Sequence, residues 1–185
     1  MVDESLKQAD AKMRKAIEVV RDEFLGVRTG RASSHLVERM IVDYYGAPTP
    51  LQQLASFGVP EPRMLVIHPF DRNAIAGIEK AIRASDLGMN PSNDGTVIRL
   101  NFPALTEERR RELTKLVRDR AEHGRVAVRN IRRHSKEEID HAVKEGTVPE
   151  DAGHRAEKEL QKLTDHYIAE IDEMVRRKEA ELMEV

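Results

Sequence analysis

Cysteine and tryptophan are both absent from this 185-residue chain, which has only four phenylalanines and three tyrosines. Without cysteine, the chain can form neither a disulfide nor a thiolate metal site. So few aromatic side chains fit a helical bundle better than a β-sandwich, whose core requires more aromatic and β-branched residues.

Targeting and membrane signals are also lacking. No apolar run approaches the roughly 18 residues of a membrane span, and residues 1–5 are acidic with no hydrophobic signal core after them. The net charge is -2 and the pI is about 6.4, so any anion-binding site must come from local clustering of cations. We expect a soluble cytoplasmic protein with no membrane partner.

The motifs of common enzyme classes are missing as well. There is no Walker loop, no Gly-x-Gly-x-x-Gly and no His-Glu-x-x-His. The histidines are scattered, and His134 and His141 lie two helical turns apart, too far to share a metal ion as i,i+4 neighbours do. We predict no catalytic residue, no metal site and no cofactor, and therefore a protein that is not an enzyme.

The longest regular segment lies at residues 106–145, which contain no proline and only one glycine, Gly124. As a single helix it would be roughly 60 Å long at 1.5 Å per residue. Apolar and small residues recur along it at steps of three and four, which predicts a buried seam. The seam residues are Leu113, Val117, Ala121, Gly124, Val128, Ile131 and Ser135.

A second pattern on this segment is basic. Four arginines recur every seven residues, and each such step drifts by about 20° around a helix, so the four stay on one side. Two further cations fall on the same side. Together they form the arginine stripe: Arg111, Arg118, Arg125, Arg129, Arg132 and Lys136. An ordinary solvated helix surface is the alternative, but the stripe as a whole indicates an almost purely cationic face that binds a polyanion.

Two more helices are predicted, one near the start of the chain and one after the long segment. Residues 3–29 carry apolar side chains at helical spacing, and Gly30 is expected to end that helix as a left-handed cap. A third helix is expected after Gly146, with a similar apolar stripe from Ala156 to Met174.

The region from residue 31 to residue 104 has a different character, since it holds seven of the eight prolines. Strands are predicted at residues 40–45, 64–68 and 96–102, and residues 46–50 are expected to break the first of them. Asp71 is expected to cap a short helix that follows it.

The predicted fold class is α+β, with an antiparallel three-helix bundle formed by residues 1–30 plus 105–185 and a small β/α/β domain inserted at residues 31–104. Each helical stripe is too apolar to stand alone, but three stripes can bury one another, so we expect a monomer. The two short connections should act as a hinge. The hinge residues are Thr29, Gly30, Arg31, Pro103, Ala104 and Leu105.

Six stretches of the chain carry a resemblance to a known family. They are RTGRAS at 28–33, VDYYGAPTPL at 42–51, SDLGMNP at 85–91, PALTEERR at 103–110, VRNIRR at 128–133 and KEAEL at 178–182. In this order and spread over the whole chain, they resemble bacterial ribosome recycling factor.

The resemblance implies an L-shaped protein that binds the ribosome after termination and, with elongation factor G and GTP, splits it into subunits. It also implies contact with large-subunit ribosomal RNA near the intersubunit bridges. The RNA-contacting arginines of the family correspond here to Arg28, Arg31, Arg110, Arg129 and Arg132.

Three other readings are open at this point. A general RNA-binding or RNA-chaperone module would bind random RNA as well as ribosomes. An enzyme would require a pocket with perturbed ionisable groups. A coiled-coil scaffold would self-associate through an exposed seam.

Overall fold

The computed structural model describes residues 2–184, so the outermost residues of the predicted bundle, Met1 and Val185, lie outside the described part. The chain forms two compact units. The helical unit comprises residues 2–27 and 111–180, and the mixed unit comprises residues 28–110 and 181–184.

The elements follow the predicted α+β pattern. The four α-helices are α1 (Val2–Leu25), α2 (Ile75–Ala84), α3 (Glu107–Lys144) and α4 (Glu150–Met183). The six strands are β1 (Ile41–Tyr44), β2 (Ala47–Pro50), β3 (Ala55–Glu61), β4 (Met64–Pro69), β5 (Ser92–Asn93) and β6 (Ile98–Asn101). Within residues 2–184, no helix combines the length and the apolar character needed to cross a membrane.

Helix α3 begins and ends close to where the sequence predicts. The Thr106 hydroxyl accepts a hydrogen bond from the backbone N–H of Arg109 at 3.1 Å, which satisfies one of the free donors of the first turn. Helix α3 ends at Lys144, and Gly146 then adopts a left-handed φ of 73°. The predicted seam is buried along α3 except at Ile131, which is half-buried.

The three long helices pack as the predicted antiparallel bundle. The Glu23 carboxylate of α1 lies 3.7 Å from Arg120 of α3, and Ser5 of α1 contacts Glu138, so α1 and α3 run in opposite directions. Helix α4 also runs antiparallel to α3, as the side-chain pairs between them show below. The apolar stripes of α1 and α4 are buried against this seam. They include Met13, Ile17, Val20, Phe24, Ala156, Leu160, Tyr167 and Ile171.

Gly124 of α3 lies close to side chains of both α1 and α4. A Cβ at this position would lie 2.4 Å from Cγ2 of Val20 on α1 and 3.3 Å from Cδ1 of Ile171 on α4. The first distance is far below van der Waals contact. The glycine in the seam is therefore required by packing, not by backbone conformation.

The end of α1 differs from the prediction. The helix stops at Leu25, and Gly30 lies beyond it. Gly30 does have a left-handed φ of 77°, but in the connecting segment that follows the helix. Gly30 is thus not the cap of α1.

The mixed unit contains two antiparallel sheets. Strands β1 and β2 form a hairpin, and the larger sheet has the order β3-β4-β6-β5. The prediction that residues 46–50 break the first strand is wrong, because Ala47–Pro50 pairs with it as β2. The turn residues Tyr45 and Gly46 have φ values of 52° and 79°, which is the conformation a two-residue hairpin turn requires. The prolines of β2 are tolerated because the strand pairs on one side only.

Helix α2 buries Ile75, Ile78 and Ile82 in the core of the mixed unit. Asp71 precedes this helix as predicted, and its carboxylate accepts the backbone N–H of Asn73 at 2.9 Å. The Tyr44 hydroxyl donates to the other carboxylate oxygen at 2.7 Å. These bonds, first that from Asn73, lower the pKa of Asp71. They tie the hairpin to the start of the helical segment.

Candidate nucleic-acid interface

All six residues of the arginine stripe lie on α3, where the predicted spacing places them. Their surroundings differ, however. Arg111 and Arg118 are exposed, while Arg125 retains only 24% of its side-chain exposure. The ability of each stripe residue to bind an anion therefore depends on its exposure and on the carboxylates that it already contacts.

Two arginines of the stripe pair with carboxylates of α4. Arg118 Nε donates to Glu179 at 2.6 Å, and Arg125 Nη2 lies 2.6 Å from Asp172. Arg125 also contacts Glu122 of its own helix at 3.2 Å. Burial would lower the pKa of Arg125, but the hydrogen bonds to Asp172 and Glu122 outweigh burial and raise it. We assign Arg118 and Arg125 a part in holding α3 against α4.

Arg129 is paired within α3. Its Nη2 lies 2.5 Å from Glu122, and its Nε donates to the carbonyl oxygen of Arg125. The hydrogen bond from Arg129, followed by that from Arg125, lowers the pKa of Glu122. Arg129 remains half exposed, so its outer surface is open to solvent.

Lys136 lies near the other end of the stripe and is also paired. Its Nζ lies 2.8 Å from Glu157 of α4 and 3.3 Å from Asp140 of α3. The hydrogen bond to Glu157 is the largest influence on the pKa of Lys136, which is raised.

The prediction of an almost purely cationic face is therefore wrong. Carboxylates of α3 and α4 lie among the cations, and they neutralise much of the stripe. Glu122 is seven residues before Arg129, so the spacing that reveals the stripe also places this carboxylate on it. The carboxylates of α4 come from a distant part of the sequence and could not be aligned with the stripe before the helix pairing was known.

Arg132 differs from these paired residues, because it has no carboxylate partner in the described part of the chain. The seven-residue series that matches Arg118 with Glu179 and Arg125 with Asp172 would match Arg132 with Asp165. Instead, Asp165 accepts a hydrogen bond from Gln161 Nε2 at 2.8 Å. The amide oxygen of Gln161 in turn accepts one from Arg132 Nη1 at 3.3 Å. Over the described residues, Arg132 forms no ion pair, and its charge is not neutralised.

A cleft of about 420 Å³ lies beside Arg132, between α3 and α4. Seven residues line it: Arg132, Lys136, His154, Glu157, Lys158, Leu160 and Gln161. The lining therefore has three cationic side chains and one carboxylate. The sequence pattern does not reveal the α4 residues of this cleft, because α4 has no basic periodicity of its own.

The other three predicted arginines lie in the mixed unit. Arg28 contacts Asp86 at the long distance of 3.7 Å, and Arg31 lies 3.2 Å from Glu184. Arg110 is half-buried, and its Nε has no hydrogen-bond partner in the described part of the chain. The structure thus divides the predicted RNA-contacting residues between the two units.

No other kind of site is evident in the part of the chain that the structure describes. Among residues 2–184, no group of three or more histidine or acidic side chains is arranged to hold a metal ion. Most ionisable groups with shifted pKa values belong to surface ion pairs and caps, and of the shifted groups Lys136 lines the cleft beside Arg132.

Comparison with known proteins gives a consistent result. The family model for ribosome recycling factor matches residues 20–183. The ribosome-recycling factors of Thermobifida fusca and Renibacterium salmoninarum are 56% and 57% identical to this chain. In both comparisons, all of this chain and all of the relative are covered.

Solved structures agree with the sequence comparison. A solution structure of a ribosome recycling factor has a TM-score of 0.80 and 47% identity, covering 100% of this chain and 98% of the other. A second structure combines the Thermus thermophilus ribosome recycling factor with Escherichia coli elongation factor G on the post-termination complex. Its recycling-factor chain has a TM-score of 0.70 and 46% identity, with 99% of each chain covered. The present chain therefore belongs to the ribosome recycling factor family.

Proposed function

We propose that this protein recycles ribosomes, and that with elongation factor G and GTP it splits the post-termination ribosome into subunits. The carrying observation is full-length identity of 52–57% to ribosome-recycling factors, over both units of the structure. The family consists of non-catalytic translation factors, and this chain is accordingly not an enzyme. We place the protein in the cytoplasm, where ribosomes work, as a monomer that requires no cofactor.

Light scattering of post-termination ribosomes tests this proposal. Adding the protein with elongation factor G and GTP should lower the scattered intensity as particles separate into subunits. Omitting GTP should abolish the effect, because the chain has no phosphate-binding loop of its own. No change in scattering with all three components present would contradict the proposal.

We further propose that the helical unit holds large-subunit ribosomal RNA near the intersubunit bridges. The support is the unneutralised charge of Arg132, together with the open side of Arg129. The family resemblance adds Arg28, Arg31 and Arg110 as contacts from the mixed unit. A general RNA-binding module is the alternative. It would bind random RNA of equal length as tightly as ribosomes at the same salt concentration.

The mixed unit is proposed to meet elongation factor G. Two of its aromatic side chains are largely exposed: Tyr45 at 75% in the hairpin turn and Phe70 at 72% before Asp71. Exposed aromatic residues of this kind are common in protein interfaces. We propose the division of labour along the predicted domains, with residues 1–30 plus 105–185 binding RNA and residues 31–104 facing the factor.

The two segments between the predicted domains are proposed to form a hinge, and both lie within residues 28–110 of the mixed unit. They are Thr29–Gly30–Arg31 and Pro103–Ala104–Leu105, and Gly30 supplies a left-handed backbone conformation in the first. Residual dipolar couplings measured for both units should require more than one relative orientation. A single rigid alignment that fits all couplings would rule out the hinge.

The arginine stripe should contribute unequally to RNA affinity. We expect Arg132→Gln to weaken binding to large ribosomal subunits by about tenfold, since a charge-assisted bond contributes about 1.5 kcal/mol or more. Arg125→Gln should have a smaller effect on affinity, because Arg125 is mostly buried and paired with Asp172 and Glu122. Each lost phosphate contact should also reduce the slope of log affinity against log salt by roughly 0.7 to 0.9.

Binding of these variants is measured over a salt series, with Arg129→Gln as an intermediate case. Arg129 is half exposed but shares its charge with Glu122. If Arg132→Gln and Arg129→Gln both keep the affinity and salt slope of the unchanged protein, the stripe does not bind RNA.

A further inference from the structure

We propose that Lys158 of α4 forms, with Arg132 of α3, a two-helix site for the phosphate groups of RNA. This inference rests on the proposed function, and it deepens it by adding a residue from a second helix. Arg132 and Lys158 line the same cleft, and neither has a carboxylate partner among the described residues.

The charges of the cleft are not equivalent. Lys136 lies 2.8 Å from Glu157 and 3.3 Å from Asp140, so two carboxylates share its charge. Lys158 is exposed and forms no ion pair or hydrogen bond within the described part of the chain. Arg132 and Lys158 are therefore the cations of the cleft lining that are not paired with a carboxylate in the described part of the chain. An anion that enters the cleft meets attraction from both helices.

The geometry around Arg132 favours a phosphate over a carboxylate side chain of the protein itself. Gln161 Nε2 donates a hydrogen bond to the Asp165 carboxylate, and this leaves the Gln161 amide oxygen facing Arg132. A neutral oxygen orients the guanidinium while leaving its charge and most of its donors available. Arginine presents five donors in a planar fork, and two can bind a phosphate together.

Lys158 contributes in a different way. A lysine ammonium acts as a compact point charge with three donors and does not impose a planar geometry. Beside a bidentate arginine, it can neutralise the same phosphate or its neighbour along the backbone. A cleft lined by a positioned arginine and an exposed lysine thus suits a phosphodiester chain. His154, also in the lining, places a further hydrogen-bonding ring at the edge.

The test compares Lys158→Gln with a matched control, Lys12→Gln. Both lysines are exposed and lack a described partner, and both substitutions remove one positive charge, but Lys12 lies on α1 and outside the cleft. Affinity of the full-length proteins for isolated large ribosomal subunits is measured over a salt series. Because neither side chain supports the core, thermal unfolding should be unchanged in both variants.

Lys158→Gln is expected to weaken binding by about tenfold at fixed salt and to reduce the salt slope by roughly 0.7 to 0.9. Lys12→Gln should leave both quantities as in the unchanged protein. Lys158→Arg should restore the affinity, since it returns the charge and the donors.

Four results would overturn the inference. If Lys158→Gln binds like the unchanged protein, which itself binds and splits ribosomes, the proposed function stands and the cleft site falls. Equal losses in Lys158→Gln and Lys12→Gln would assign the effect to net charge. If Lys158→Gln slows splitting with elongation factor G but keeps the RNA affinity and salt slope, the cleft binds a protein instead. Absence of ribosome binding by the unchanged protein would remove the proposed function and this inference together.

Discussion

A shortened chain in which Gly30 is joined directly to Ala104 is expected to bind ribosomes but to fail to split them with elongation factor G and GTP. This chain keeps α1, α3 and α4 complete, together with the buried seam that joins them. It should therefore fold. It also keeps Arg132 and Lys158, so its affinity for large subunits should stay within about tenfold of the full-length value.

Splitting should be lost for a mechanical reason. The chain has no nucleotide-binding motif, so the energy of GTP hydrolysis must reach it through elongation factor G. If the mixed unit is the surface on which that factor acts, the shortened chain remains bound and inert. Far-UV circular dichroism checks its helical content, a binding assay checks its affinity, and light scattering follows subunit separation.

The control for this experiment is the full-length chain with Tyr45→Ala and Phe70→Ala. These two exposed side chains should matter to splitting more than to ribosome binding. The shortened chain must slow splitting at least as much as this double variant. Splitting by the shortened chain at the full-length rate would refute the division of labour between the units.

The second large effect is expected at Gly124. Gly124→Leu should lower the free energy of unfolding by about 3 kcal/mol, at the upper end of the range for overpacked cores. The substitution places a side chain where even a Cβ would lie 2.4 Å from Val20 Cγ2. Valine is stiff at χ1 and cannot turn aside without cost. For a chain of this length, the melting temperature should fall by about 6 to 12 °C.

Helix propensity alone predicts the opposite sign. Replacing an interior glycine by alanine gains about 1 kcal/mol in an exposed helix. Gly124→Ala should nevertheless destabilise this protein, because of the contact with Val20. In a Val20→Ala background the contact is gone, and Gly124→Ala should become neutral or stabilising. Urea unfolding of the four chains gives the coupling energy.

A matched substitution on the surface of α3 completes the comparison. Asn130 is exposed on α3 and lies outside the buried seam. Asn130→Leu should leave stability within about 0.5 kcal/mol of the unchanged protein. If Gly124→Ala stabilises the chain as propensity predicts, the glycine is not required by packing.

The helices were the most predictable part of the fold. Their stripes recur over many turns, so a local error in spacing has little effect on the assignment. The α+β character of the middle region was also evident from its prolines. Strand β2 was missed because Pro48 and Pro50 were interpreted as breakers. Strand β3 was not among the predicted strands. Its Gly58 and Pro60 are both uncommon in strands, and its pairing with β4 shifts between Gly58 and Glu61.

The sequence predicted the cations of the candidate site, but not the carboxylates that neutralise some of them. Periodicity placed Arg118, Arg125 and Arg132 on one side of α3. It could not show that Glu179 and Asp172 face the first two, since helix pairing depends on contacts between distant parts of the chain. Arg132 has no paired carboxylate because Asp165 accepts a hydrogen bond from Gln161 instead. No pattern within α3 contains that information.

The spacing of the ion pairs between α3 and α4 has a consequence for how the two helices could slide. The Arg118–Glu179 and Arg125–Asp172 pairs repeat every seven residues on both helices. After a slip of one heptad, about 10 Å, two arginines would again face acidic residues, for example Arg118 opposite Asp172 and Arg125 opposite Asp165. The charges alone therefore permit more than one alignment. Gly124 removes this ambiguity. Only the observed alignment sets the one residue without a side chain against Val20 and Ile171. The bundle can therefore resist sliding of one helix along another. The ion pairs restrict the helices to a few alignments, and the close contacts of Gly124 select one of them.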